Sequence, residues 1–140
     1  MSDPLLFLGV SNSCRSQMAE ALLRRYAAER FEVHSAGLKP AAIHPLTYRV
    51  MNELGMDLSG HRPKSVREFF RLSLSPRFAI ILCETTEPDC PKLYPGALQI
   101  LRWPFENPAR AAGGEEVQLD TFRKVRDQID RRIRLWLDEV

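Results

Sequence analysis

Leu5-Leu6-Phe7-Leu8-Gly9-Val10 runs straight into Ser11-Asn12-Ser13-Cys14-Arg15-Ser16, and this stretch decides the architecture. A continuous apolar run of this length is expected of a strand buried on both faces in a parallel sheet. Ser11-Asn12-Ser13 breaks the run. From Ser16 onward, Met18, Leu22 and Tyr26 recur at helical spacing, with Leu23 and Ala27 alongside.

The same alternation continues outward. Phe31–Ser35 reads as a second strand ended by Ala36-Gly37, and Pro45 opens a helix whose C-cap is expected at Gly55. Val66–Leu74 is expected to be helical, Phe78–Leu82 a third strand and Leu98–Leu101 a short fourth. Pro and Gly residues mark a long irregular loop between Leu101 and Leu119. Phe122, Val125, Ile129, Ile133, Trp136 and Val140 then draw an apolar stripe on a terminal helix. The expectation is one α/β domain over residues 1–140, a three-layer sandwich around a central, mainly parallel four-stranded sheet. Ligands of such sheets sit beyond the carboxyl ends of the strands.

Bulk properties narrow the function classes. At 140 residues the chain can build a full core, and 44% hydrophobic with 27% charged residues suits a soluble globular protein. Its apolar runs are too short to cross a bilayer, and its start lacks the pattern of a secretory signal, so a cytoplasmic location and no membrane partner are expected. A net charge of +2 without a basic stripe argues against nucleic acid. The charge-dense stretch Asp120–Val140 nearly balances its signs and reads as a solvated helix face. Three cysteines, Cys14, Cys83 and Cys90, argue against a disulfide framework.

A helix N-terminus presents unpaired N–H groups and the positive end of its dipole, so it favours anions. The loop Val10, Ser11, Asn12, Ser13, Cys14, Arg15 and Ser16 is therefore the candidate oxyanion site. Arg15 can supply a bidentate clamp suited to phosphate or arsenate oxygens. Ser13 and Ser16 can donate further hydrogen bonds, and Ser16 is alternatively a helix cap. An ordinary strand-to-helix turn with an exposed Arg remains the competing reading.

Asn12-Ser13-Cys14-Arg15-Ser16-Gln17-Met18-Ala19-Glu20 closely resembles the loop signature of the thioredoxin-coupled arsenate reductases, which share the fold of the low-molecular-weight protein tyrosine phosphatases. The likeness extends through His34–Gly37, Gly55–His61, Leu82–Pro91, Trp103–Ala109 and Phe122–Asp127, covering nearly the whole chain. It implies arsenate, phosphate or sulfate as ligand, no bound cofactor, and thioredoxin as an external reductant if the chain is active. It also implies redox roles for Cys14, Cys83 and Cys90. In the reductases the equivalents of Cys83 and Cys90 pass electrons and close a disulfide, which requires the segment between them to rearrange.

The sequence departs from that pattern where the chemistry is done. The family places its nucleophilic cysteine six residues before the arginine, and that position is Gly9. Glycine can form no covalent adduct. The family's general-acid aspartate, just before Pro-Ala, falls at Asn107, and an amide cannot act as an acid. Glu106 is the adjacent ionisable substitute. Ser11 stands where the family carries a glycine, and no base is evident to activate it as a nucleophile. Cys14 is the alternative nucleophile or redox partner, with Arg15 expected to lower its pKa.

Some of these reductases hold potassium with residues matching Asn12, Glu20 and Ser35 plus an aspartate, whose position falls at Lys64. An ammonium there would replace the cation, so no metal is expected. His34 and His61 read as structural hydrogen-bonding residues in loops, His44 as a helix-entry residue, and Trp103 and Phe105 as walls of the late loop. Three functions follow: an arsenate reductase-like domain that binds oxyanion without the standard turnover; an enzyme rewired through Cys14 with Cys83 and Cys90; and a non-catalytic protein-interaction module.

Overall fold

A computed structural model describes residues 2–140. The strands β1 (Asp3–Gly9), β2 (Phe31–Gly37), β3 (Phe78–Ile81) and β4 (Gln99–Arg102) form one sheet in the order β2-β1-β3-β4. Every pairing is parallel, which sharpens the expected mainly parallel sheet. The helices are α1 (Arg15–Ala27), α2 (Pro45–Asn52), α3 (Val66–Arg71) and α4 (Glu115–Glu139), with a short 3-10 turn at Pro108–Arg110.

Strand alternation sorts the core into two layers around the sheet. Leu5, Phe7, Val33, Phe78 and Ile80 face Met18 and Leu22 of α1, Val50 and Met51 of α2, and the apolar stripe of α4. Leu6, Leu8, Ala36, Ala79 and Ile81 face Val66 and Phe69 of α3 together with Tyr94. The result is the three-layer sandwich expected from the sequence. On α4, Phe122, Val125, Ile129 and Ile133 are fully buried, each worth roughly 1.5–3 kcal/mol of transfer free energy. Trp136 closes the stripe against Phe31, Phe78 and Trp103, whose ring centroids lie 5.0–5.5 Å away. Among the described residues no helix is long and apolar enough to cross a membrane.

Several boundaries move. The second helix stops at Asn52 with Glu53 as its C-cap, and Gly55 (φ 74°) serves the following turn instead of the cap. The third is shorter than Val66–Leu74, because Leu72 caps it and Ser73 (φ 55°) turns the chain away. The expected loop up to Leu119 gives way to α4 already at Glu115, where Glu115 and Glu116 complement the dipole in place of a side-chain cap. Leu98 lies outside β4 and is exposed, and Val140 lies at the half-open end of the α4 stripe. His34 is on β2, beside Glu32, rather than in a loop.

Glu53 ties α2 to α4. Its carboxylate accepts from Arg123 Nη2 at 2.7 Å and from Arg126 Nη1 at 2.7 Å, and the same Arg126 nitrogen donates to the Val50 carbonyl. The hydrogen bonds from Arg123 lead the effects that hold the Glu53 carboxyl at about 2, below its ordinary 4.5. The unfolded chain therefore binds the proton first as pH falls. The pair's contribution is complete above pH 4.5 and is lost as pH drops towards 2. A Glu53→Gln protein should show a shallower rise of melting temperature across this window than the native chain. Identical pH profiles would remove Glu53 from the acid response.

Candidate functional site

The carboxyl ends of β1 and β3 are neighbours, although β1 leads across to β2 on one side and β3 to β4 on the other. Loops leaving such a reversal point diverge and open a crevice between them. Here the loop after β1 carries residues 10–14, and the loop after β3 carries Cys83–Cys90.

The first loop is shaped from outside by its own carbonyls. Val10 O accepts from Lys39 N at 2.8 Å, Ser11 O from Ala41 N at 3.0 Å, and Ser13 O from His44 N at 3.1 Å. Thr47 Oγ1 also donates to Ser13 O, and Gln17 Nε2 donates to Asn12 O at 3.1 Å. A planar trans peptide sets each following N–H opposite its carbonyl, and no peptide in the chain is cis. With those four carbonyls turned outward, the N–H groups of Ser11, Asn12, Ser13 and Cys14 turn inward. Among the described residues no group accepts from the N–H groups of Ser11–Ser16. Successive free N–H groups at the start of α1 form a concave anion nest.

Two residues hold this shape. Asn12 adopts φ 53°, a left-handed conformation that asparagine tolerates better than most residues, and it is fully buried. Its Nδ2 donates to Ser16 Oγ at 2.8 Å and Ser35 Oγ at 2.9 Å. Its Oδ1 accepts from Gln17 Nε2 and from Lys64 N, each at 2.9 Å. Gly37 supplies the clearance: a Cβ there would stand 2.6 Å from Val10 O and 2.8 Å from Asn12 N.

Residues 9–16 and Asn107 line one recess. Ser16 does not cap α1. Cys14 is the N-cap residue and makes no side-chain cap bond, while Ser16 Oγ is taken by Asn12. Ser13 Oγ pairs with Ser11 Oγ at the rim. A Cβ on Gly9 would meet Ser16 Oγ at 3.3 Å, and Gly9 does not use the left-handed backbone region. Asn107 Oδ1 accepts from Ala109 N at 3.1 Å and starts the 3-10 turn. Glu106 pairs with Lys124 Nζ of α4 at 2.6 Å, which gives its carboxylate another partner.

Arg15 begins α1 and is buried, but its fork is occupied. Nη1 donates to Glu87 Oε2 at 2.7 Å and to Phe105 O at 2.9 Å, and Nη2 donates to Glu87 Oε1 at 2.6 Å. The bidentate clamp expected for an oxyanion is thus made to a carboxylate of the same chain. Glu84 N donates to the same Oε2. Burial pushes the Glu87 carboxyl up, but the Arg15 and Glu84 hydrogen bonds and the charges of Arg15 and Arg110 outweigh it. The group is held below its ordinary value.

The cysteines divide. Cys83 and Cys90 are joined in a disulfide, and Cys14 is free and buried. Burial pushes the Cys14 thiol up, and it outweighs Ser13, Thr47 and, last, Arg15. This reverses the expectation that Arg15 would make Cys14 acidic. The reason is burial: desolvation of the thiol outweighs the hydrogen bonds of Ser13 and Thr47 and the nearby charge of Arg15.

Beneath the loop, Glu20 collects donors and cations. Ser35 Oγ donates to Oε1 at 2.7 Å and Arg24 Nη1 to Oε2 at 2.8 Å. Lys64 Nζ stands 3.5 Å from Oε1, and His61 Nδ1 stands 3.3 Å from Oε2. Lys64 thus meets Glu20 as its place in the sequence suggested. Burial pushes the Lys64 ammonium down despite Glu20's opposing charge. His61 Nδ1 also contacts Gln17 Oε1 at 3.0 Å, and His44 Nδ1 accepts from Leu46 N at the entry to α2. Trp103 is buried in the core, and Phe105 contributes its carbonyl to Arg15.

A model of the family described as low molecular weight phosphotyrosine protein phosphatase matches residues 4–140. The chain belongs to this family. Within it, the chain is similar to curated arsenate reductases. One from Shouchella clausii (strain KSM-K16) is 35% identical over 134 residues, spanning 96% of this chain and 94% of the relative. Another, from Bacillus subtilis (strain 168), is 32% identical over 130 residues, spanning 93% and 91%. Among solved structures, an arsenate reductase in the phosphate binding state superposes with a TM-score of 0.78 at 27% identity, covering 100% of this chain and 99% of that one. A thioredoxin-dependent arsenate reductase of Corynebacterium glutamicum gives a TM-score of 0.69 at 34% identity, covering 98% of this chain and 61% of that one. The family's α/β fold is the fold seen here.

Sequence reasoning missed Glu87 and the role of residues 39–47 in shaping the loop. Their bonds are made across 72 positions in the first case and by backbone groups in the second. The one available cue was the acidic content of the short segment between Cys83 and Cys90.

Proposed function

We propose that this chain is an arsenate reductase-like member of its family that binds a tetrahedral oxyanion in the Gly9–Ser16 loop without the cysteine-based turnover. The observation that carries the reading is the inward-facing row of N–H groups at a loop whose first residue, Gly9, has no side chain. Phosphate, arsenate and sulfate share the geometry such a nest accepts. Phosphate binding is named for one structural neighbour, which supports this ligand class.

Gly9 takes the nucleophile's place in this reading, and Asn107 that of the acid. Cys14 is a poor substitute because the thiolate is the reactive form and burial opposes it. Lys64 supplies the positive charge beside Glu20, so no metal is needed there. Calorimetric titration of the native chain with phosphate and arsenate, together with an NADPH-coupled thioredoxin assay, tests the proposal. Binding without turnover is expected, and robust arsenate reduction would overturn it.

The Cys83–Cys90 disulfide favours one competitor, an enzyme rewired through Cys14 that discharges electrons to thioredoxin. That reading requires a Cys14→Ser change to abolish any reductase activity. Our reading expects Cys14→Ser and native chains to behave alike in the thioredoxin assay. The thioredoxin dependence named for the Corynebacterium glutamicum neighbour makes thioredoxin the reductant to use.

A further inference from the structure

We propose that Glu87 is an internal anion that competes with the bound oxyanion for Arg15, and that the Cys83–Cys90 disulfide holds it in place. The inference rests on the oxyanion-binding reading of the Gly9–Ser16 loop.

The Glu87 carboxylate takes the guanidinium fork through two short parallel bonds, the arrangement two oxygens of a phosphate or arsenate would adopt. The side chains of Arg15 and Glu87 are 6% and 9% exposed and hold one another, so an arriving oxyanion must displace Glu87 to reach the fork. The carboxylate is presented by a tight piece of chain. Glu87 N donates to Glu84 O at 3.0 Å, Cys90 N donates to Glu87 O at 3.2 Å, and Glu84 N returns a bond to Oε2. The disulfide closes these turns into a short ring.

Opening the ring changes the balance without touching the loop. A dithiol reductant supplies two electrons and two protons, the S–S bond breaks to leave thiols at Cys83 and Cys90, and the reductant is left as its own disulfide. The freed segment gains conformational entropy that must be lost again to keep Glu87 on Arg15. Arg15 is then more available to an external anion.

The test is calorimetric titration of inorganic phosphate into the full chain, oxidised and after dithiothreitol treatment, for native and Glu87→Gln proteins. Native protein should bind phosphate about tenfold more tightly when reduced, as expected when a charged competitor is loosened. Glu87→Gln should bind at least as tightly as the reduced native chain, whichever its redox state. A Cys83→Ser, Cys90→Ser double variant should match the reduced native chain without any reductant. Equal affinity of oxidised native and oxidised Glu87→Gln proteins would overturn the competition. Tighter binding by Glu87→Gln with no redox effect in the native chain would overturn the role of the disulfide. Absence of phosphate binding in every form would instead remove the oxyanion-binding reading itself.

Discussion

Replacing Gly9 by Cys together with Asn107 by Asp is expected to raise turnover about a thousandfold or more, because each group contributes several kcal/mol to the barrier. The first change places a thiol where the loop's N–H groups can stabilise a thiolate. The backbone accepts it: Gly9 lies outside the left-handed region, and its new Cβ would meet a single rotatable hydroxyl, Ser16 Oγ, at 3.3 Å. The second change is conservative in shape. An aspartate would keep the bond from Ala109 N with one oxygen, leaving the other to carry a proton. Hydrolysis of p-nitrophenyl phosphate and thioredoxin-coupled arsenate reduction are the assays. A double variant that binds phosphate but stays inert would show that more than the two groups is missing. Either single change should recover less than the pair, since nucleophile and acid serve the same step.

An Arg15→Met chain should lose phosphate binding by about a hundredfold or more and also lose about 3 kcal/mol of stability. The first effect follows from removing the fork. The second follows from Glu87, which would remain half-buried with the Glu84 N–H as its bonded partner and the charge of Arg110 nearby. An uncompensated buried charge is costlier than a missing pair, so adding Glu87→Gln to Arg15→Met should restore most of the stability and none of the binding. Denaturant unfolding of the four proteins in this cycle separates the effects. Additive losses would show that Arg15 and Glu87 are not coupled.

The fold was legible because its signals are local. Leu5–Val10 announces a doubly buried strand, and the α4 stripe repeats at helical spacing from Phe122 to Trp136. Element ends were harder, since Gly55 and Ser73 are set by turns whose bonds compete over one or two residues. The recess formed by residues 9–16 could be singled out because chemistry-bearing residues crowd one turn. Arg15's partner could not, because a salt bridge between residues 15 and 87 depends on sheet order rather than on neighbouring sequence. Cys14 shows the same limit. Its neighbour in sequence suggested an acidic thiol, whereas burial of Cys14 produces the opposite.

Lys64 has a consequence beyond its contact with Glu20. A diffusible ion at such a position is supplied by the surroundings and leaves when they are depleted of it. An ammonium tethered to the chain, 3.5 Å from the Glu20 carboxylate, travels with the protein. The footing of the loop after β1, from Glu20 through Ser35 to Asn12, is therefore expected to keep its charge balance whichever monovalent salt the solution contains.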